Sequence, residues 1–596
     1  MNHTGRHLPL GLAALALLFT LGWPARAALP YAERVPAGAP LAVGIADTAG
    51  LWSKIAALPL AQAVDQYLAT PAVSGSVGYQ AFTLERHKME QTTGFPITPD
   101  ELLGKVFKDL LIYVTTSAVD GKAKTAVTLV AGARDGAKAA RFLTALDKKN
   151  LELAAEDTSK TQTSGKVSFE KISLAGVPVS HFHVALAEDQ SQDGYYALQE
   201  GKLIYANDRA AFTTALAKGA KAEAPLAQNP EFKQLSGPLP WSNADVQGWI
   251  NGDALMQAGA GSPAMILGKM PGMSASNKVA FTFNLEANGL VGRLASTLDP
   301  ALKTAGIKPR TLFGVSQIPP TALLAIDYGM LNAEASYQQL TRLLDLSKAA
   351  GAGVASPIAQ FEQQTGISVE QELVPALGHE VTLSLNSLLV KPLAMPEIDL
   401  TLSVEVRDKA KMQLVLAKFE KYLESLASQL PPEQSAAAQP GAPAPAAPGP
   451  PKFKSVASGG GITIRSLALP SIPFSPSYAL QDRYVLLSLT ADGMRHALLR
   501  MTDKEPSAAN SPAYNELKQI AGTGQFYSYT VVDMNKVVSN LVLPAMAIVM
   551  MRSPGAAGPQ ELMTIATQVL GHFGTVASAE SLKNGVSMGT IKATVQ

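Results

Sequence analysis

The sequence predicts an α+β protein of two tandem similar domains, each a mostly antiparallel sheet with packed helices, after a cleaved signal peptide. Three observations carry this reading. The tetrapeptide Tyr-Ala-Leu-Gln occurs at 196–199 and again at 478–481, each time followed by an apolar run, an Asp and a helical pattern. Strand, Asp and helix recur in the same order along both halves. Close-set turns such as Glu200-Gly201 and Asn288-Gly289 leave no room for the crossover that parallel strands require.

The first 27 residues read as a targeting segment. Arg6 and His7 precede an apolar stretch at 8–21, and Pro24-Ala25-Arg26-Ala27 offers a small-x-small cleavage site, so cutting is expected after Ala27. The apolar stretch is too short to span a bilayer comfortably, and the next most apolar run, 541–551, is interrupted by Pro544. The mature chain is therefore expected to carry no transmembrane span. Losing Arg6 and Arg26 leaves 47 basic against 48 acidic residues, a balance without the footprint of a nucleic-acid partner. There is no Cys, so neither lipoprotein acylation nor a disulfide framework is available, and the core alone must hold the fold. The expected location is periplasmic or secreted.

In the first half, 41–46 reads as a buried strand and Asp47 as the N-cap of a helix bearing Leu51, Ile55 and Leu58. Thr98-Pro99 opens a short helix. Strands at 110–116 and 125–133 flank the turn Asp120-Gly121, and Asp135 caps the next helix. Strand patterns follow at 167–172, 177–184, 195–198 and 203–206, then Asp208 and a helix to Leu216. A strand at 246–251 leads to Asp253. Alternation at 278–286 and 290–296 around Asn288-Gly289 reads as a hairpin in which both turn residues take positive φ.

The order then restarts. A strand at 322–326 precedes Asp327, strands at 381–388 and 398–406 precede Asp408 and a long helix, and the second Tyr-Ala-Leu-Gln precedes Asp492. A strand at 526–532 precedes Asp533, and Asn584-Gly585 closes a last hairpin. Matching Asp47 to Asp327, Asp135 to Asp408, Asp208 to Asp492, Asp253 to Asp533 and Gly289 to Gly585 gives offsets of 280, 273, 284, 280 and 296. Five landmarks in one order at nearly one offset indicate a duplication, with a first repeat at 28–300 and a second at 301–596. The Pro/Ala-rich stretch 431–451 is read as a disordered insertion in the second repeat.

Little in the chain points to chemistry. No Gly-x-Ser-x-Gly, His-Glu-x-x-His or calcium-loop pattern is present. His181 and His183 share one face of a strand, with Glu188 and Asp189 nearby, but are read as ordinary strand histidines. No catalytic, cofactor-binding or metal-binding residue is assigned. Met265, Met270, Met546 and Met550 lie in corresponding segments of the two halves and could line a groove for an apolar ligand, since Met adapts to irregular apolar partners.

Val35-Pro36-Ala37-Gly38-Ala39-Pro40-Leu41-Ala42-Val43, running on to Asp47 and an apolar helix, resembles the opening of the bacterial exported family catalogued as domain of unknown function 3352. That resemblance implies a signal or anchor segment and long α+β repeats. It implies no activity and no functional residues. The expected role is thus an exported, non-enzymatic protein of binding or envelope-organising type. The alternatives are a periplasmic carrier of a lipid or other apolar ligand, or a hydrolase assembled from distant residues. Expected partners are an apolar ligand or an envelope protein.

Overall fold

The computed structural model describes residues 29–30, 32–69, 74–75, 77–119, 122–155, 166–185, 191–217, 224–258, 278–298, 310–338, 340–341, 357–389, 396–429, 451–458, 462–469, 474–545, 547 and 572–595. The expected signal peptide, the turn Asp120-Gly121 and the Pro/Ala-rich stretch up to Pro450 lie outside them. By its internal contacts the chain divides into two units, one of Met1–Asp299 with Lys583–Gln596, the other of Pro300–Leu582.

The strands in chain order are β1 Leu41–Ile45, β2 Phe107–Val119, β3 Lys122–Ala133, β4 Lys166–Leu174, β5 Val177–Ala185, β6 Ser191–Gln199, β7 Lys202–Ala206, β8 Val246–Asn251, β9 Lys278–Glu286 and β10 Gly289–Thr297. They continue as β11 Leu324–Tyr328, β12 Leu377–Leu389, β13 Glu397–Val406, β14 Phe453–Ser458, β15 Ile462–Leu467, β16 Ser477–Gln481, β17 Tyr484–Ser488, β18 Ser528–Asp533, β19 Phe573–Lys583 and β20 Val586–Val595. In the first unit the spatial order is β4-β5-β6-β7-β3-β2-β1-β8-β9-β10-β20, antiparallel throughout. In the second it is β14-β15-β16-β17-β13-β12-β11-β18-β19, again antiparallel throughout. The second order repeats the first strand for strand as far as β9. The mixed helix and antiparallel sheet expected from the close-set turns is what the chain forms.

Both sheet faces are covered. In the first unit, α1 (Thr48–Ala57) and α2 (Gly136–Ala155) pack Leu51, Ala139 and Ala145 against Phe107, Leu110 and Tyr196 on one face. On the other face, α3 (Arg209–Leu216) and α4 (Pro230–Ser236) bring Phe212 and Phe232 onto Leu111, Tyr195, Ile204 and Trp249. In the second unit α5 (Lys409–Ser428) packs Met412, Val415 and Leu416 against Val406 and Val485. Opposite it, α6 (Ala491–Met501) covers Ile464, Ala479 and Leu486, while α7 (Pro512–Ala521) covers Phe526 and Tyr529. Strand alternation does this sorting: neighbours such as Tyr195 and Tyr196 fall into different cores. Among the described residues, no helix is long and apolar enough to cross a membrane.

Local signals recur between the units. The helix Val77–Thr93 ends at Gly94 (φ 63) and the helix Pro357–Thr365 at Gly366 (φ 69), the left-handed terminus that glycine adopts without strain. Asp47, Asp135, Asp208, Asp408 and Asp533 accept hydrogen bonds from first-turn amides, as helix caps should. Three other aspartates do not cap. Thr490 takes the cap of α6 through Gly493, which puts Asp492 inside the first turn. Asn251 accepts from Ala254, so Asp253 is already helical. Asp327 lies within β11.

The last strand also departs from expectation. The sequence places it in the second repeat, yet β20 belongs to the first unit, paired with β10 from Gly289↔Thr594 to Thr297↔Val586. It satisfies an edge whose amides and carbonyls would otherwise stand open. The hairpin between β9 and β10 is shifted by one residue from the expected Asn288-Gly289 turn. Glu286 pairs with Gly289, so Ala287 and Asn288 form the turn and Gly289 begins β10 at φ 150. A Cβ there would meet the Ala593 carbonyl oxygen at 2.0 Å. At the later turn Asn584 and Gly585 both have positive φ, 52 and 77.

Asp327 is fully buried, pairs across the sheet with Thr382 and accepts its hydroxyl at 3.1 Å. Glu380 beside it is held by the Gly314 amide at 2.6 Å, by Tyr484 Oη at 3.0 Å and by Arg310 at 3.0 Å. Burial, then the Glu380 charge, push the Asp327 carboxyl well above the ordinary carboxylate range.

These positions set two stability tests. Gly289→Ala should cost about 2 kcal/mol or more in chemical denaturation; an unchanged midpoint would mean that β20 does not close on β10 in this register. Asp327 binds its proton more tightly folded than unfolded, so its favourable contribution is complete below pH 3.8 and fades as pH rises toward its folded value. Asp327→Asn should therefore melt higher than the parent at pH 8, by about 3 °C, and the gain should shrink at pH 4. A gain independent of pH would count against a protonated Asp327.

Candidate functional site

The repeated Tyr-Ala-Leu-Gln stretches lie on β6 and β16, next to the long helices α2 and α5. Alternation turns Tyr196 and Leu198 toward α2, and Tyr478 and Leu480 toward α5. Each tyrosine meets a carboxylate on its helix. Tyr196 Oη donates to Asp147 Oδ1 at 3.0 Å, and Tyr478 Oη to Glu420 Oε1 at 2.7 Å. Asp147 and Glu420 each stand twelve residues after the capping Asp135 or Asp408.

A cation and a hydroxyl complete both clusters, from exchanged strands. In the first unit Ser180 on β5 pairs with Tyr196 and with Lys171 on β4. Its Oγ donates to Asp147 at 2.7 Å, while Lys171 Nζ bonds both Asp147 and Ser180. In the second unit Arg465 on β15 pairs with Tyr478 and with Ser455 on β14. The guanidinium grips Glu420 with Nε at 2.7 Å and Nη2 at 3.0 Å, and Nη1 donates to Ser455 Oγ at 3.0 Å. This register matches Arg465 to Ser180.

Burial alone would raise the Glu420 carboxyl, but Arg465 and Tyr478 outweigh it and hold it below its ordinary value. Burial, followed by Glu420, pushes the Tyr478 hydroxyl up to about 12. Glu420 thus stays ionised and Tyr478 neutral around pH 7.

Beside this cluster a cleft of about 480 Å³ opens between α5 and the β15–β16 face. Leu416 is buried in its wall, with Ile462, Arg465, Tyr478, Leu480 and Gln481 half-buried. Lys409, Gln413, Thr463 and Asp482 are its exposed lining. The amide oxygen of Gln481 is buried and accepts no hydrogen bond from the protein. Gln199, its counterpart in the first unit, shares that state. The two units diverge along the rest of this lining. Aligned on the capping aspartates and on the strand pairing, Lys409, Gln413 and Thr463 correspond to Gly136, Ala140 and Pro178.

The other candidate residues fall elsewhere. His181 lies between Glu170 (Nδ1, 2.9 Å) and Asp193 (Nε2, 2.9 Å), with its ring stacked on Tyr195 at 4.4 Å, and His183 Nδ1 reaches Asp193 at 3.0 Å. Burial would raise the Asp193 carboxyl, but the two histidines lower it on balance. Among the described residues no group of three or more His, Asp or Glu side chains could hold a metal ion. Glu188, Asp189 and the four methionines Met265, Met270, Met546 and Met550 lie outside the described residues.

Sequence reading found the tyrosines but took them as scaffold, and it missed Asp147, Glu420 and the cleft. The available signal was a carboxylate at one fixed distance from a capping Asp in both halves.

A family model described as "Protein of unknown function (DUF3352)" matches residues 108–553. Comparison with curated proteins and with solved structures gives no match.

The Glu420 contact sets a pH test. A carboxyl held low contributes stability that is present above its ordinary value of 4.5 and is lost as pH falls through its folded value. Glu420→Gln should cost about 1 kcal/mol at pH 7, allowing for partial exposure, and the gap to the parent should close toward pH 3. A gap of equal size at both pH values would refute the ionised contact.

Proposed function

The chain belongs to the DUF3352 family of proteins of unknown function, and we propose that it is an exported, periplasmic, non-catalytic binding protein. We read it as two copies of one α+β unit, the second of which has acquired a ligand site. The observation that carries this reading is the cleft beside Tyr478, whose polar lining is built on a framework that the first unit shares but leaves unfurnished. Its lining is mostly polar, with Leu416, Ile462 and Leu480 as the apolar part, and its volume suits a small molecule.

The protonation states in the cleft favour binding over catalysis. Glu420 is held low by an arginine fork, and Tyr478 titrates near 12. Neither is poised to exchange a proton near neutrality, where general acids and bases work best. The duplication draws support from the identical strand order and from the two tyrosine–carboxylate contacts. Export draws support from the apolar leader and its cleavage site. The charged and amide groups in the lining favour a polar or amphipathic ligand over a wholly apolar one.

Native mass spectrometry of the protein purified from its host tests this reading. The expected species begins at Ala28 and carries a small-molecule adduct that Thr463→Trp, which fills the cleft, removes. A polypeptide mass that retains the leader would overturn export. An adduct unchanged in Thr463→Trp would move the ligand away from this cleft.

A further inference from the structure

Building on the reading of this cleft as a ligand site, we propose that it takes a zwitterionic amino acid or short peptide with an apolar side chain. The lining offers the complement of such a molecule. Lys409 and Asp482 are exposed charges of opposite sign on the same cleft, and neither forms an ion pair with a described residue. Lys409 suits a carboxylate and Asp482 an ammonium group.

Arg465 is not the carboxylate receptor. Its three nitrogens are already committed to Glu420 and Ser455, and withdrawing it would leave Glu420 half-buried without its cation. Lys409 is the cation of the cleft that remains for a ligand.

Leu416, Leu480 and the Tyr478 ring provide an apolar wall for a side chain. The first unit gives an internal comparison. It keeps Tyr196, Leu198, Gln199 and Glu200, but has Gly136 and Ala140 where the second has Lys409 and Gln413. The carboxylate-reading half of the site is therefore particular to the second unit.

Titration calorimetry on the full mature chain tests the class. The probes are the dipeptide Leu-Leu, its N-acetyl derivative and its C-terminal amide. Free Leu-Leu should bind with one-to-one stoichiometry, and each blocked form should bind about five-fold more weakly, the worth of one partly exposed ion contact. Lys409→Ala should weaken Leu-Leu by a similar factor and abolish its advantage over the C-terminal amide. Asp482→Asn should do the same relative to the N-acetyl form. Both side chains are exposed, and Asn tolerates the left-handed backbone of Asp482 (φ 44), so the melting temperatures should not move.

Equal affinity for free and blocked dipeptides would overturn the zwitterion reading, as would binding indifferent to both substitutions. If no dipeptide binds while Thr463→Trp still removes a native adduct, the peptide class falls and the cleft stands as a site for another ligand.

Discussion

The hydrogen bond between a strand tyrosine and a helix carboxylate fixes how each unit is assembled. α2 and α5 are long helices that each cover a sheet face with modest apolar side chains, and apolar contact alone leaves their rotation and sliding weakly specified. A buried hydroxyl aimed at one carboxylate removes that freedom, because any slippage strands two polar groups at once. The carboxylate cannot be buried alone, so a cation must follow it. The cation in turn donates to a serine on the neighbouring strand. Two units reach the same cluster with Lys171 and Ser180 in one and Ser455 and Arg465 in the other. What is retained is the charge balance and not the strand that provides it.

The same units solve one central position in opposite ways. Gly44 on β1 pairs with Leu111, and a Cβ at Gly44 would lie 2.5 Å from Pro30 Cδ and 2.8 Å from Leu29 Cδ1, so this site in the first unit is closed by apolar side chains. The corresponding strand in the second unit carries Asp327 opposite Thr382, with Glu380, Glu405 and Arg310 around it. Buried ionic networks rarely add net stability over a well-packed apolar alternative, yet breaking one partner is severe. The second unit therefore carries a polar centre that constrains its sequence more tightly, with Arg310 binding both Glu380 and Glu405.

Much of this architecture was legible because it is local. Hairpins, the glycine helix ends at Gly94 and Gly366, and caps such as Asp135 and Asp408 need only a few consecutive residues. The misread aspartates mark the limit. A strand followed by Asp looks the same whether the strand ends before that residue or runs through it, and only cross-strand pairing decides. Asp327 pairs with Thr382 inside the sheet, while Asp47 lies beyond β1 and caps α1. β20 defeats a linear reading for the same reason, since its partner β10 lies in the other half of the chain. The cleft was illegible because its walls come from α5, β15 and β16, which the sequence keeps apart.

Two units with one strand order make their differences informative. Where both copies keep a group, as with the tyrosine and its carboxylate, folding suffices to explain it. Where one copy adds polar side chains that no fold requirement explains, the added groups need another reason. Lys409 and Gln413 stand on an exposed helix face whose counterpart, with Gly136 and Ala140, folds without them. A solvated face would account for both side chains singly. Their meeting with Asp482, unpaired among the described residues, and a leucine wall on one cleft is what the proposed ligand site explains. His181 and His183, the first unit's own additions, are each tied to carboxylates within the same sheet, and so they place no comparable demand on a ligand. On the proposed reading, this asymmetry between the units is what assigns the ligand to the second one.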